Sequence, residues 1–255
     1  MKARRGTSLL GAARTAAAFA ALLAIWAIAA AVVQRPFLPP PGAAFARLAS
    51  DAATLALARH LAASAGRIGL ALLIAAPTAA ALGLAAGRSK GLDSLVSPFV
   101  YILHPLPKIA FLPVIMLFLG LDDAAKVFLI GLIIFGQILV TCRDAARAVP
   151  EALVESVRAL GATRLQLVRH VIAPATLPAF LSALRVGLGT SIAVLFMAET
   201  FASESGLGWY IVDSLTRVDY PGMYAAIVAL SGLALACYLA LDAIEARACR
   251  WRRTD

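Results

Sequence analysis

Charged residues are scarce in this sequence. Asp, Glu, Lys and Arg together make up 15% of its 255 residues, against roughly 25% in an average soluble domain. Cysteine is scarcer still. Cys142, Cys237 and Cys249 are too few for a disulfide scaffold, show no ligand spacing, and read as buried or cytosolic free thiols. His60, His104 and His170 are too dispersed to suggest a metal cluster. There is no Gly-rich nucleotide-binding loop of the Walker type, so ATP hydrolysis by this chain is not expected. No metal, cofactor or catalytic residue is expected, and a membrane-embedded enzyme would lack its clustered acid-base or metal site.

Apolar residues fill the gap, at 62% of the chain with a mean hydropathy of +0.87. That excess excludes low-complexity disorder and exceeds what the core of a soluble domain uses, so the expected solvent is lipid. The apolar runs are continuous rather than alternating, which excludes an outer-membrane barrel. An all-α membrane protein remains. The charge balance, 23 basic against 14 acidic residues and a net +9, would suggest a polyanionic partner in a soluble protein. Here the basic residues cluster beside the ends of apolar segments, as in the cytoplasmic loops of membrane proteins, and no nucleic-acid partner is expected.

A membrane-spanning helix needs about 20 mostly apolar residues, and six stretches qualify: 16–33, 67–87, 94–119, 124–142, 174–198 and 222–244. Six spans return the C-terminus to the side of the N-terminus. Of the 23 Lys and Arg residues, 15 then fall on one side and 5 on the other, while Arg67, Lys108 and Arg185 lie within spans. Both termini are therefore predicted to be cytoplasmic. A cleaved signal peptide would leave five spans in the same orientation, but an 18-residue apolar core exceeds the usual 7–15, roughly, of a signal peptide, which favours retention.

The chain divides into three parts: residues 1–60, a transmembrane helix with an outer interfacial segment; residues 61–246, the core, with a cytoplasmic loop at 143–170; and residues 247–255, a basic tail. Between the first two spans, Phe37 to Gly42 read as a rigid outer turn. Residues 43–64 form a mildly amphipathic pattern expected to lie at the interface. Pro98, Pro105, Pro107 and Pro113 interrupt the third span, which predicts a kinked or broken helix that either lines a wet path or serves packing alone.

The most informative segment is polar. Pro150 and Glu151 open a helix; Leu153, Val154, Val157 and Leu160 make an apolar stripe along it; and Gly161 supplies the left-handed residue that ends it. Thr163 and Gln166 form a capping-box pattern for a second helix, whose Leu165, Val168, Val171 and Ile172 run towards the membrane. The expectation is a cytoplasmic helix-turn-helix, either a functional device or a membrane-hugging connector.

This segment resembles the "EAA" loop of bacterial ABC importer permeases: Glu-Ala-Ala, three residues, Gly, nine residues, Ile-x-Leu-Pro. Glu155, Gly161 and Pro174 fall in register, with Ser156 and Val157 in place of the alanines and Val171 and Ala173 in place of Ile and Leu. The resemblance extends from about Leu61 to Ala246. Ser97-Pro98, Pro105-Leu106-Pro107-Lys108-Ile109-Ala110-Phe111-Leu112-Pro113, Phe118-Leu119-Gly120, Ala125-Lys126, Ala198-Glu199 and Gly206-Leu207-Gly208 are similar to the subgroup serving nitrate, sulfonate and taurine, whose relatives also carry bicarbonate or vitamin precursors.

The resemblance implies a type I importer permease (MetI-like) of six transmembrane helices in a bacterial inner membrane, working as a homodimer with two cytoplasmic ABC ATPase subunits and an extracytoplasmic solute-binding protein. It implies that the loop docks in a groove of the ATPase, with Leu153, Val157 and Leu160 as apolar contacts, Glu155 and Arg158 as polar ones, and Gly161 and Ala162 at the turn. Glu155 could instead pair with Arg158 inside its own helix. Charges inside spans are costly and usually functional, which singles out Lys108, Arg185 and Glu199 as a substrate path for a small anion. Snorkelling of Lys108, or a pair between Arg185 and Glu199, is the alternative. A secondary transporter, the rival class, needs midplane coupling carboxylates and repeated halves. Only Glu199 is a candidate, and no repeat is visible.

Overall fold

The computed structural model describes residues 3–103, 105–201 and 203–251. Lys2, His104, Arg252 and Arg253 lie outside the described residues, as do the side chains of Arg4 and Arg5. The regular structure described is helical throughout: α1 (Ala3–Val33), α2 (Pro41–Ala53), α3 (Ala56–Arg88), α4 (Lys90–Leu103), α5 (Leu112–Leu119), α6 (Asp123–Arg147), α7 (Glu151–Ala159), α8 (Arg164–Leu167), α9 (Ala173–Thr200), α10 (Leu207–Thr216) and α11 (Tyr220–Ala248).

Five helical stretches are long and apolar enough to cross a membrane, Ala13–Val33, Ala56–Arg88, Asp123–Arg147, Arg164–Thr200 and Tyr220–Ala248; the pair Lys90–Leu103 and Lys108–Leu119, bent by 85° at its break, makes a sixth if the two cross as one span, and is otherwise a re-entrant loop. Not all of its prolines cause the break. Pro98 sits inside α4 and Pro113 in the first turn of α5, where a missing N–H costs little. Pro105 and Pro107 flank the interruption, and the chain resumes helical winding in a tight turn, Lys108–Phe111. Two closely spaced prolines remove two backbone donors, and Pro107 disfavours the helical region for Leu106 before it.

The interfacial segment expected over 43–64 is divided. It breaks after Thr54, and Leu55 takes a left-handed φ of +61° as the span-forming α3 begins. Residues from Leu57 onward therefore belong to a span, with Leu57 and Ser64 buried. Only the α2 portion lies apart, held by Asp51, which accepts from Arg47 Nε at 3.1 Å and from Tyr210 Oη at 2.8 Å.

The core lies between α3, α6 and α9. Ile68, Ala71, Ala75 and Ala79 on α3 recur every three to four residues and meet Leu129, Ile130, Ile134 and Ile138 of α6, all buried. Where lipid surrounds a bundle, helices associate through close packing of small residues rather than by escape from water. α3 comes close to α6 at Gly87, where a Cβ would stand 2.4 Å from the Arg143 carbonyl oxygen and 2.8 Å from Ala146 Cβ. Elsewhere large apolar side chains face outward, including Leu22, Tyr101, Leu117 and Phe118. Trp26 fastens α1, stacking on Tyr224 at 5.3 Å and donating to the Pro39 carbonyl at 3.0 Å.

Candidate functional site

The polar segment forms the helix-turn-helix that its residues predict. Pro150 precedes α7, and Glu151 in its first turn accepts from Arg88 at 2.7 Å. Gly161 ends the turn with a φ of +83° and open space around its Cα. Thr163 and Gln166 close a reciprocal cap, with Thr163 N donating to Gln166 Oε1 at 2.8 Å. From there α8 runs through a wide turn, Val168–Ile172, into α9 with Pro174 in its first turn. The second helix is thus continuous with a span, so a push on the turn moves a rod rather than a loop.

The apolar stripe of α7 does not lie on one face. Val154 is fully buried in a small core with Ala146, Val149, Leu167 and Ile172, while Val157 packs at its edge. Leu153 is 47% exposed and Leu160 86%. Leu165, expected to run towards the membrane, is 76% exposed and points away from the bundle. The reason is helical spacing: Leu153 and Leu160 stand seven residues apart, about two turns, and share a face from which Val154 is turned away. Leu160 borders a hollow with Val157, Gly161, Ala162, Gln166 and His170, while Leu153 and Leu165 are exposed on the two helices that flank the turn. Three exposed leucines thus stand on the helices joined by this turn. Glu155 and Arg158 are both exposed, and the pair inside their own helix is not formed.

At the opposite end of the bundle stands a buried charge cluster centred on Arg67, a residue the sequence places within a span without giving it a role. Its guanidinium is 2% exposed and has all five N–H groups engaged. Nε and Nη2 donate to Asp123 Oδ1 at 2.8 and 2.6 Å, Nη1 to Glu199 Oε1 at 2.6 Å, and the remaining bonds go to the Ser205 carbonyl and hydroxyl. Glu199 is fully buried and also accepts from Ser64 Oγ at 2.8 Å and Gly208 N at 2.8 Å. Leu207 N donates to Ser64 Oγ at 2.8 Å. The carboxylate thus serves as a remote cap for α10, whose own preceding residue, Gly206, has no side chain to cap with. A lone cation in an apolar span is the available signal. Its partners lie 56 and 132 residues away, beyond the reach of local spacing.

Nearby, Arg47 reaches Asp219 at 3.0 Å as well as Asp51, so α2 is tied to both α10 and α11. Burial, and then the bond to Asp51, push the Tyr210 phenol above its usual range, which keeps it a donor.

Arg185 and Glu199, a candidate pair from the sequence, lie in different clusters. Arg185, on α9, is bound by Asp242 and by Glu245 at 2.8 Å, both on α11, and remains 40% exposed. Its two acidic partners lie too far along the chain for spacing to reveal. Lys108 lines a separate cavity of about 420 Å³ between α4 and α6, together with Gln137. The Gln137 side-chain oxygen is buried without a hydrogen-bond partner among the described residues.

Residues 78–249 match the family model described as "Binding-protein-dependent transport system inner membrane component". The taurine transport system permease protein TauC of Escherichia coli (strain K12) is 30% identical over 239 residues, covering 91% of this chain and 87% of the relative. The formylaminopyrimidine transport permease protein ThiX of Halalkalibacterium halodurans is 27% identical over 235 residues, covering 92% and 94%. Among solved structures, a bacterial ABC transporter involved in the import of the acidic polysaccharide alginate superimposes with a TM-score of 0.58 at 21% identity, over 74% of this chain and 78% of that one. It shares the fold.

Proposed function

Since the chain belongs to the family of binding-protein-dependent transport system inner membrane components, we propose that it forms half of a homodimeric path and receives its power stroke through the 151–170 hairpin. As a permease of this family it works with a separate ATPase and a solute-binding protein. The observation that carries the proposal is the set of exposed leucines, Leu153, Leu160 and Leu165, around a turn capped on both sides. An ATPase groove closing on nucleotide would grip that surface and move α8 and α9 as one body. Glu155 and Ala162 supply its polar and steric border, while Arg158 lines a crevice on the other face of α7. The excess of Lys and Arg on the hairpin side supports placing that side, and both termini, in the cytoplasm.

Co-purification tests this directly. The chain, solubilised from membranes of its host, is expected to come out with two copies of itself and two ATPase subunits. Leu160→Asp should reduce ATPase recovery roughly ten-fold, the scale of an interface hot spot, while the yield of the permease stays unchanged because the side chain is 86% exposed. Full ATPase recovery in that variant would remove the hairpin from the docking role.

For the cargo, similarity to a taurine permease supports a small anion such as a sulfonate. Similarity to a formylaminopyrimidine permease supports a second reading, a vitamin precursor. On the anion reading, Arg185 and Lys108 serve the path, with Glu199 acting at its far end by holding Arg67 in place. Arg185 already has two carboxylates, so it would meet an anion by exchanging one of them. Arg185→Met is expected to abolish uptake and Arg185→Lys to weaken it, with assembly and basal ATPase activity kept in both. Normal uptake by Arg185→Met would take the residue off the path. Failure of that variant to assemble would make it a brace between α9 and α11.

A further inference from the structure

Beside the hairpin, a crevice of about 970 Å³ enters the bundle. The ends of three spanning segments meet at it: Arg88 closes α3, Lys90 opens α4 and Arg147 closes α6. Glu151 and Arg158 reach it from α7, seven residues apart and so on one face, roughly opposite Leu153 and Leu160. The crevice therefore lies behind the hairpin, between it and the ends of those helices, and not on the leucine surface.

Its charge is unbalanced. Five cations line it against two carboxylates, Asp93 and Glu151. Both carboxylates are taken, Glu151 by Arg88 at 2.7 Å and Asp93 by Arg147 at 2.6 Å. Lys90, Arg158 and Arg164 line the same space with no carboxylate partner among the described residues. Like charges gathered this way repel until an anion joins them. The floor beneath them is apolar, made by Ala86, Leu167, Val168 and Ile172.

Cations at the depth where spans end, above an apolar floor, suit a molecule with a phosphate at one end and hydrocarbon at the other. We propose that this crevice holds the headgroup of an anionic phospholipid from the leaflet on the hairpin side, its phosphodiester among Lys90, Arg158 and Arg164. The cytoplasmic identity of that leaflet rests on the orientation proposed above. An acidic protein surface fits less well, because the crevice is walled by span ends and screened by α7. A lipid seated there braces the root of the hairpin against α3, α4 and α6, and makes coupling depend on the anionic lipid content of the membrane.

The test uses the permease with its ATPase in nanodiscs of phosphatidylcholine with added phosphatidylglycerol, counting retained lipids by native mass spectrometry. The wild type is expected to keep phosphatidylglycerol roughly thirty- to hundred-fold in preference to phosphatidylcholine, the order expected for two or three cations at a charged surface. The double variant Lys90→Gln, Arg164→Gln should lose that preference with ATPase stoichiometry intact. Unchanged lipid retention in the variant overturns the proposal. So does displacement of the lipid by inorganic phosphate at constant ionic strength, which would mark a free-anion site, or loss of the ATPase in place of the lipid, which would assign the cations to a protein partner. Should the double variant fail to fold, raising salt on the wild type decides: retention must fall, and indifference to salt overturns the proposal. A preparation that carries no ATPase would count against the proposed function and leave the lipid count readable.

Discussion

Replacing Arg67 with Met is expected to remove most of the folded protein from the membrane. The guanidinium is 2% exposed and answers two carboxylates, a backbone carbonyl and a hydroxyl. Without it, Glu199 remains as an uncompensated charge in a fully buried position, which costs about 3–5 kcal/mol. Against a typical total stability of about 5–15 kcal/mol, that loss is enough to unfold many molecules. The ends of α3, α6 and α9 and the start of α10 lose their common anchor together. The measurement is the yield and thermal midpoint of detergent-solubilised protein. Arg67→Lys should be intermediate, since an ammonium offers three donors where the guanidinium uses five. Arg67→Met combined with Glu199→Met should recover part of the loss, because removing both charges removes the buried imbalance. A wild-type midpoint for Arg67→Met alone would mean that water reaches Glu199 and that the cluster is not an anchor.

Gly161→Val should abolish uptake while leaving the protein inserted. The position has a φ of +83°, and a Cβ there would meet nothing within 4 Å, so the substitution acts through backbone conformation alone. A left-handed L-residue costs about 1–2 kcal/mol, and a β-branched one more. That strain is relieved most easily by shifting the turn, which misplaces Leu160 relative to Leu165 and breaks the surface proposed to meet the ATPase. Uptake and transport-linked ATP hydrolysis are expected to fall at least ten-fold. Gly161→Asn, whose side chain tolerates the left-handed region, should retain most activity. Full uptake with Val in place would reduce the turn to a connector.

The hairpin is the most legible part of the candidate site. Its signals are local: Pro150 before a first turn, a left-handed Gly161, and a reciprocal bond between residues three apart, Thr163 and Gln166. What the local pattern misplaces is Leu165, and the division of Val154 from Leu153. An apolar stripe says which residues avoid water but not which of two apolar destinations each one takes, the small inner core or a protein partner. The third span is legible as interrupted, yet four prolines do not say where. Pro98 and Pro113 occupy helical positions, and the interruption falls at Pro105 and Pro107.

Composition and run length were sufficient for the all-helical membrane class and for the approximate number and position of the spans, because lipid imposes one rule on every residue of a segment and leaves no room for context. Pairing of the charges within spans was another matter. Arg67, Lys108, Arg185 and Glu199 are each conspicuous in an apolar run. Arg185 and Glu199 stand on the one helix α9, about 21 Å apart along it, too far to pair. That Glu199 meets Arg67 and Arg185 meets Asp242 and Glu245 depends on how α3, α6, α9 and α11 rotate about their axes as they pack. That rotation follows from the close fit of small residues such as Ala79 and Gly87 against α6, a contact between residues more than fifty positions apart that no spacing rule within one helix encodes.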